Sequence, residues 1–142
     1  MNYIDPSKYD VHKAAGIIIV DRKILVERSK GEEHYKAPGG RIELGETAKQ
    51  GLTRELREEF GIQINEEDLK EFWIFCHNAA GEGTKTLCME VYMVNKWMGE
   101  ITPNNEVEEI KWLTSQIPED ITVGSVIAEE VIPRLREKYL ID

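Results

Sequence analysis

The chain has 142 residues, 41% of them hydrophobic, and a formal net charge of −9 with a pI near 4.9. These values fit about one domain with one packed core. Scattered Lys and Arg residues exclude a basic face for a nucleic-acid backbone. No apolar run approaches the ~18 residues of a membrane span. Met1 to Asp10 carries neither a basic n-region nor an apolar h-region, so a cytoplasmic location is expected rather than a secreted one.

Lys13 to Val20 and Lys23 to Glu27 are short β-type runs separated by Asp21-Arg22, which predicts a hairpin. The polar stretch Arg28 to Lys36 leads into Ala37-Pro38-Gly39-Gly40, a turn or loop. Thr47 to Phe60 has helical periodicity. Thr47 with Gln50 three residues on forms a capping box, and Gly61 stands just past the end as the C-cap. Phe72 to His77 and Thr86 to Val94 read as two more strands joined by a turn at Gly81 and Gly83. Asn95 to Glu109 is polar, carries Pro103 and Asn104-Asn105, and reads mostly as loop before a short strand at Ile110 to Leu113. Ser125 to Leu140 reads as a second helix that Pro133 kinks or restarts. The order predicts an α/β (α+β) fold with helices packed around a mixed sheet.

Cys76 and Cys88 lie in strand-like segments and show no CxxC pairing for zinc. They read as two buried thiols in a reducing compartment, the alternative being a cross-strand disulfide in oxidising surroundings. His12, His34 and His77 form no ligand-spacing pair and read as structural or solvated. Trp73, Trp97 and Trp112 read as core or sheet-face residues, with Trp97 the best candidate to stack on a base.

The chemically informative stretch is GRIELGETAKQGLTRELREEFGI, Gly40 to Ile62. At ~100° per residue, with Ala48 at zero, Glu55 lies near 340°, Glu58 near 280° and Glu59 near 20°. The apolar stripe Ala48, Leu52, Leu56 and Phe60 spans roughly 0–120° on the same wheel. Glu59 therefore sits on the core-side seam, with the other two acids bordering it. Carboxylates crowded there raise one another's pKa unless a cation intervenes. A hard divalent ion with oxygen ligands meets that demand, and Mg²⁺ suits because it keeps waters and accepts substrate phosphates. Arg54 is placed to pair with Glu58 at i+4 or to orient Glu55. The competing reading is an ordinary solvated acidic face.

This segment resembles the Nudix box, G-x5-E-x7-R-E-U-x-E-E-x-G-U with U bulky and aliphatic. Gly40, Glu46, Arg54, Glu55, Leu56, Glu58, Glu59, Gly61 and Ile62 match every fixed position without insertion. The flanking strands, the Pro38-Gly39-Gly40 approach and the terminal helix are also similar to the MutT-type Nudix hydrolases. One departure is Ala37, where many relatives carry Phe, read as a change in packing or substrate contact.

The resemblance implies one Nudix domain over residues 1–142, an α/β/α sandwich with a mixed β-sheet between helices. It implies Mg²⁺, or Mn²⁺, held by Glu58, Glu59, Glu55 and the carbonyl of Gly39. Glu55 is either a ligand or the base, with Arg54 orienting it. Glu106 is the candidate base outside the box, Glu108 the second. Arg28, Gly40 and Glu46 are the candidate substrate-binding residues. The implied reaction is attack by water on a phosphorus of a nucleoside diphosphate linked to X. By elimination, a (deoxy)nucleoside triphosphate yielding monophosphate and pyrophosphate leads over ADP-ribose or a nucleotide sugar. A non-catalytic nucleotide-binding module and an isomerase on the same fold are the competing classes. The implied partner is a small-molecule nucleotide, with no nucleic acid and no membrane, and a homodimer is one allowed assembly.

Overall fold

The computed structural model describes residues 8–78 and 86–142. The strands are β1 (Val11–Ile17), β2 (Ile19–Val20), β3 (Lys23–Ser29), β4 (His34–Tyr35), β5 (Gly39–Arg41), β6 (Leu69–Asn78), β7 (Thr86–Val94), β8 (Val107–Leu113) and β9 (Thr122–Val123). The α-helices are α1 (Ala48–Phe60) and α2 (Ile132–Glu137). A four-stranded mixed sheet runs β5-β1-β7-β6, a second sheet runs β2-β3-β8, and β4 pairs with β9. β1 lies parallel to β7 and antiparallel to β5.

Strand alternation divides the core into two apolar layers. Ala14, Ile18 and Leu25 pack with Leu52, Leu56 and Phe60 of α1. Ala15, Ile17, Ile24 and Val26 pack with Ile132 and Leu135 of α2. The result is the expected α/β/α sandwich, a mixed sheet structure between helices.

Helix α1 starts and stops where its sequence dictates. The Thr47 hydroxyl accepts from the Gln50 N–H, and the Gln50 side chain accepts from the Thr47 N–H. Gly61 ends the helix in the left-handed region at φ 69°, its N–H donating to the Arg57 carbonyl. A side chain at this φ costs about 1 kcal/mol or more, which explains glycine here.

Several sequence expectations are corrected. The run Lys13 to Val20 is not one strand: it breaks at Ile18, so β1 joins one sheet and β2 pairs with β3 in another. The hairpin turn at Asp21-Arg22 is present, both residues at positive φ (51° and 63°), the type I′ geometry that matches strand twist. β6 starts earlier than expected, at Leu69, and β8 at Val107, because backbone pairing with β7 and β3 extends past the apolar runs. The Gly81/Gly83 turn lies outside the described residues.

The second helical stretch starts at Ser125 as expected and ends at Glu137, before Leu140. Val126–Val131 forms a wide π-type turn, and α2 begins at Ile132 with Pro133 in its first turn. Proline lacks an N–H to donate back and its ring crowds the preceding turn, so the chain widens before it. Cys76 and Cys88, preferred as separate thiols, are directly opposed across β6 and β7 with Cα atoms 4.1 Å apart and form a disulfide. Among the described residues no helix is long and apolar enough to cross a membrane.

Leu56 is fully buried in the α1 layer. Leu56→Ala is therefore expected to lower unfolding free energy by about 3 kcal/mol. Gly61→Ala is expected to lower it by about 1 kcal/mol through backbone strain alone. Urea unfolding of both variants checks the order; equal losses would contradict it.

Candidate active site

The helix wheel places Glu59 on the seam facing the sheet, and there it is buried, only 8% exposed. Glu58, one step round, is exposed, and Glu55 is half-buried. Arg54 organises the others. Its Nε and Nη2 donate to the two oxygens of Glu46 at 3.1 and 2.7 Å, a bidentate fork. Its Nη1 donates to Glu55 Oε1 at 2.9 Å and reaches Glu58 Oε2 at 3.5 Å. Nη2 also donates to the Arg41 carbonyl at 3.2 Å, tying the helix to the end of β5. The Arg54 fork, together with the Glu43 N–H, holds the Glu46 carboxyl below its ordinary range.

Among the described residues no three acidic, histidine or cysteine side chains converge as a ready ligand shell. Arg54 holds Glu55 and Glu58 on its guanidinium, while the buried Glu59 carboxyl lies within reach of Glu55 and Glu27. Their repulsion is relieved outside by a guanidinium and inside by the neutral form of Glu59 that burial favours. Burial, then the neighbouring Glu27 and Glu55 carboxyls, pushes the Glu59 carboxyl far above its ordinary value of 4.5.

Glu27 is the residue the sequence reading missed. It ends the buried run Ile24–Val26 of β3 and is 2% exposed. Strand parity sets it on the same face as Leu25, toward α1. Burial raises its carboxyl, partly offset by the charge of Lys36. The available signal was an acid sharing parity with a core leucine.

The Pro38-Gly39-Gly40 segment meets the helix from the other side. Gly39 has φ 144° and is paired with Ala15, so a Cβ there would collide with the Ala14 carbonyl. At Gly40 a Cβ would stand 2.7 Å from the carboxyl carbon of Glu55. Both glycines also line a cleft of about 470 Å³, whose lining includes the apolar Ala15, Ala37, Val126 and Ile127 and the charged Lys13, Glu32, Lys36 and Arg41. Ala37 thus serves both the α2-side core and the cleft wall.

The remaining candidates lie nearby or are already engaged. Asn104 N–H donates to the Glu59 carbonyl at 2.7 Å, and Asn105 Nδ2 donates to the Glu58 carbonyl at 2.9 Å. This straps the loop before β8 to the end of α1. Glu106 follows it, exposed, its carbonyl accepting from the Lys30 N–H at 2.8 Å. Glu108 is exposed on β8. Arg28 projects to the α2 side, donating to Glu109 at 3.3 Å and to the Glu32 carbonyl at 3.2 Å, while Tyr35 donates to the same Glu109 at 2.8 Å. His12 faces Glu90 at 2.5 Å, a contact no sequence spacing announced. Trp97 packs partly buried against the α1 layer, and Trp73 lies under Arg134.

The NUDIX domain model matches residues 10–135. The chain belongs to the NUDIX family. Over 95 residues it is 36% identical to the 8-oxo-dGTP diphosphatase of Haemophilus influenzae, covering 63% of this chain and 66% of that protein. A MutT-like protein of Streptomyces ambofaciens is 25% identical over 136 residues, 96% of this chain and 75% of the relative. This Nudix chain thus spans just under two thirds of the diphosphatase and three quarters of the MutT-like protein. The crystal structure of a MutT NUDIX hydrolase from Burkholderia pseudomallei superposes with a TM-score of 0.69 at 20% identity, covering 89% of this chain and 95% of that one. That likeness establishes the shared fold.

A carboxyl that keeps its proton in the folded Nudix chain, but releases it above about 4.5 when unfolded, favours the folded state fully at low pH and less as pH rises. Metal-free Glu59→Gln is therefore expected to gain melting temperature over the wild type at pH 8 and to gain little at pH 5. Differential scanning calorimetry in chelator checks this; an offset independent of pH contradicts it.

Proposed function

We propose that this chain is a metal-dependent pyrophosphohydrolase that converts a (deoxy)nucleoside triphosphate to the monophosphate and pyrophosphate. The observation that carries the reading is the dual role of Gly39-Gly40. Both glycines line the cleft and Gly40 backs directly onto the Glu55 carboxyl, so the cleft is separated from this box acid by the glycine backbone alone. The apolar lining residues suit a planar base, and Lys13, Lys36 and Arg41 among the lining suit phosphates in a chain that is otherwise acidic.

The residues present fit a hard divalent cation. Glu59 Oε2 is buried without a hydrogen-bond partner, Glu55 is beside it, and the Gly39 carbonyl is available at the cleft floor. Mg²⁺ is preferred over larger ions because it needs few protein carboxylates, with water and phosphate oxygens completing its shell. Glu59, Glu55 and Gly39 would hold it, joined by Glu58 once that side chain leaves Arg54. When bound, the cation lowers the pKa of a water and offsets phosphate charge.

The chain's own groups do the rest. Arg54 fixes the rotamer of Glu55 and anchors Glu46, so Glu55 is presented rather than free to swing. Glu106, on the loop strapped to α1, is the proton acceptor in this reading, with Glu55 the other candidate. The nucleotide names of the curated relatives support a nucleoside triphosphate over ADP-ribose and nucleotide sugars.

Incubation with a panel of nucleotides and Mg²⁺ in ¹⁸O-labelled water, read by mass spectrometry, identifies both the substrate and the phosphorus attacked. Label in the monophosphate or the pyrophosphate of a triphosphate is expected; a panel left uncut contradicts the reading. Glu59→Gln is expected to lower kcat by at least about 100-fold. Wild-type rates in both Glu59→Gln and Glu58→Gln would end the ligand assignment. Gly40→Ala, by driving a methyl group against the Glu55 carboxyl, is expected to lose about 10-fold or more in kcat. Its unfolding midpoint should move much less, as circular dichroism melts would show.

A further inference from the structure

Among the described residues, two buried side-chain oxygens have no hydrogen-bond partner, Glu27 Oε2 and Glu59 Oε2. They belong to carboxyl groups that face one another from β3 and α1, at 2% and 8% exposure. An unpaired carboxyl oxygen in an apolar layer costs several kcal/mol of lost hydration, so native structures rarely keep one without use. Here there are two, adjacent, on different elements.

The backbone gives Glu27 no freedom to escape. Its N–H donates to the Lys36 carbonyl and its carbonyl accepts from the Lys36 N–H, both at 2.8 Å. On its other side it pairs with Ile110 of β8. Strand alternation then fixes its side chain under α1, beside Glu59 and within the field of Glu55. A shared proton joins at most one oxygen of each carboxyl and leaves the second pair unsatisfied. A cation with oxygen ligands satisfies both at once.

We propose that Glu27 is a further protein ligand of the divalent cation, holding it together with Glu59 from the opposite wall. The proposal rests on the metal dependence put forward above. It assigns the metal site to two elements, strand and helix, rather than to the helix and the glycine loop alone. A strand ligand is rigid, and it would let the cation bind before nucleotide arrives.

Mn²⁺ binding to the metal-free chain, followed by electron paramagnetic resonance without nucleotide, tests this. Glu27→Gln keeps the side-chain shape and is expected to weaken Mn²⁺ binding about 10-fold or more. Glu119→Gln, the same loss of charge on an exposed residue, is expected to leave binding unchanged. Wild-type affinity in Glu27→Gln would overturn the proposal and leave a proton-sharing structural pair. Absence of Mn²⁺ binding by the wild type would overturn the metal-dependent reading itself. Should Glu27→Gln fail to fold, a wild-type crystal soaked in Mn²⁺ decides. An anomalous peak within about 2.0–2.5 Å of a Glu27 oxygen supports the ligand, and a peak at Glu59 without Glu27 refutes it.

Discussion

Glu59 lies at the Ala48–Leu52 edge of the apolar face of α1 that packs on the sheet, so its carboxyl is buried beside the core. That placement follows from helical periodicity and cannot be relaxed without turning the whole helix. The rest of the site is arranged around this constraint. Burial favours the protonated carboxyl, Glu27 approaches it from the sheet, and Glu55, which borders it, is held with Glu58 on Arg54.

Arg54 deserves comparison with an ordinary surface ion pair, which contributes little. Here one guanidinium contacts Glu46 bidentately, Glu55 and Glu58 singly, and a backbone carbonyl. Its side chain is 18% exposed. Such a network fixes rotamers more than it adds stability. It also places Glu55 and Glu58 on a common counter-charge.

The local elements were readable because each has a short-range cause. The capping box at Thr47, the left-handed Gly61 and the 3.6-residue stripe are written within a few residues of where they act. The buried position of Glu59 came from the same periodicity. What could not be read depends on pairing between distant segments. The break at Ile18 is decided by which strand each half meets, and the opposition of Cys76 and Cys88 by register. The divergence of Glu58 from Glu59 needed the position of the Arg41 carbonyl and Glu46, which fix Arg54. Glu27 looked like the polar end of a strand; only the packing of β8 on one side and Lys36 on the other makes it interior.

The asparagine straps give the site a mechanical character. Asn104 and Asn105 grip the main-chain carbonyls of Glu59 and Glu58 themselves, and Glu106 is the next residue. Any rotation or sliding of the end of α1 is therefore handed on to the segment that bears the candidate proton acceptor. One strap is main chain and survives any side chain at position 104, whereas the other is the Asn105 amide, so position 105 is where this tether can be cut with both acids left intact.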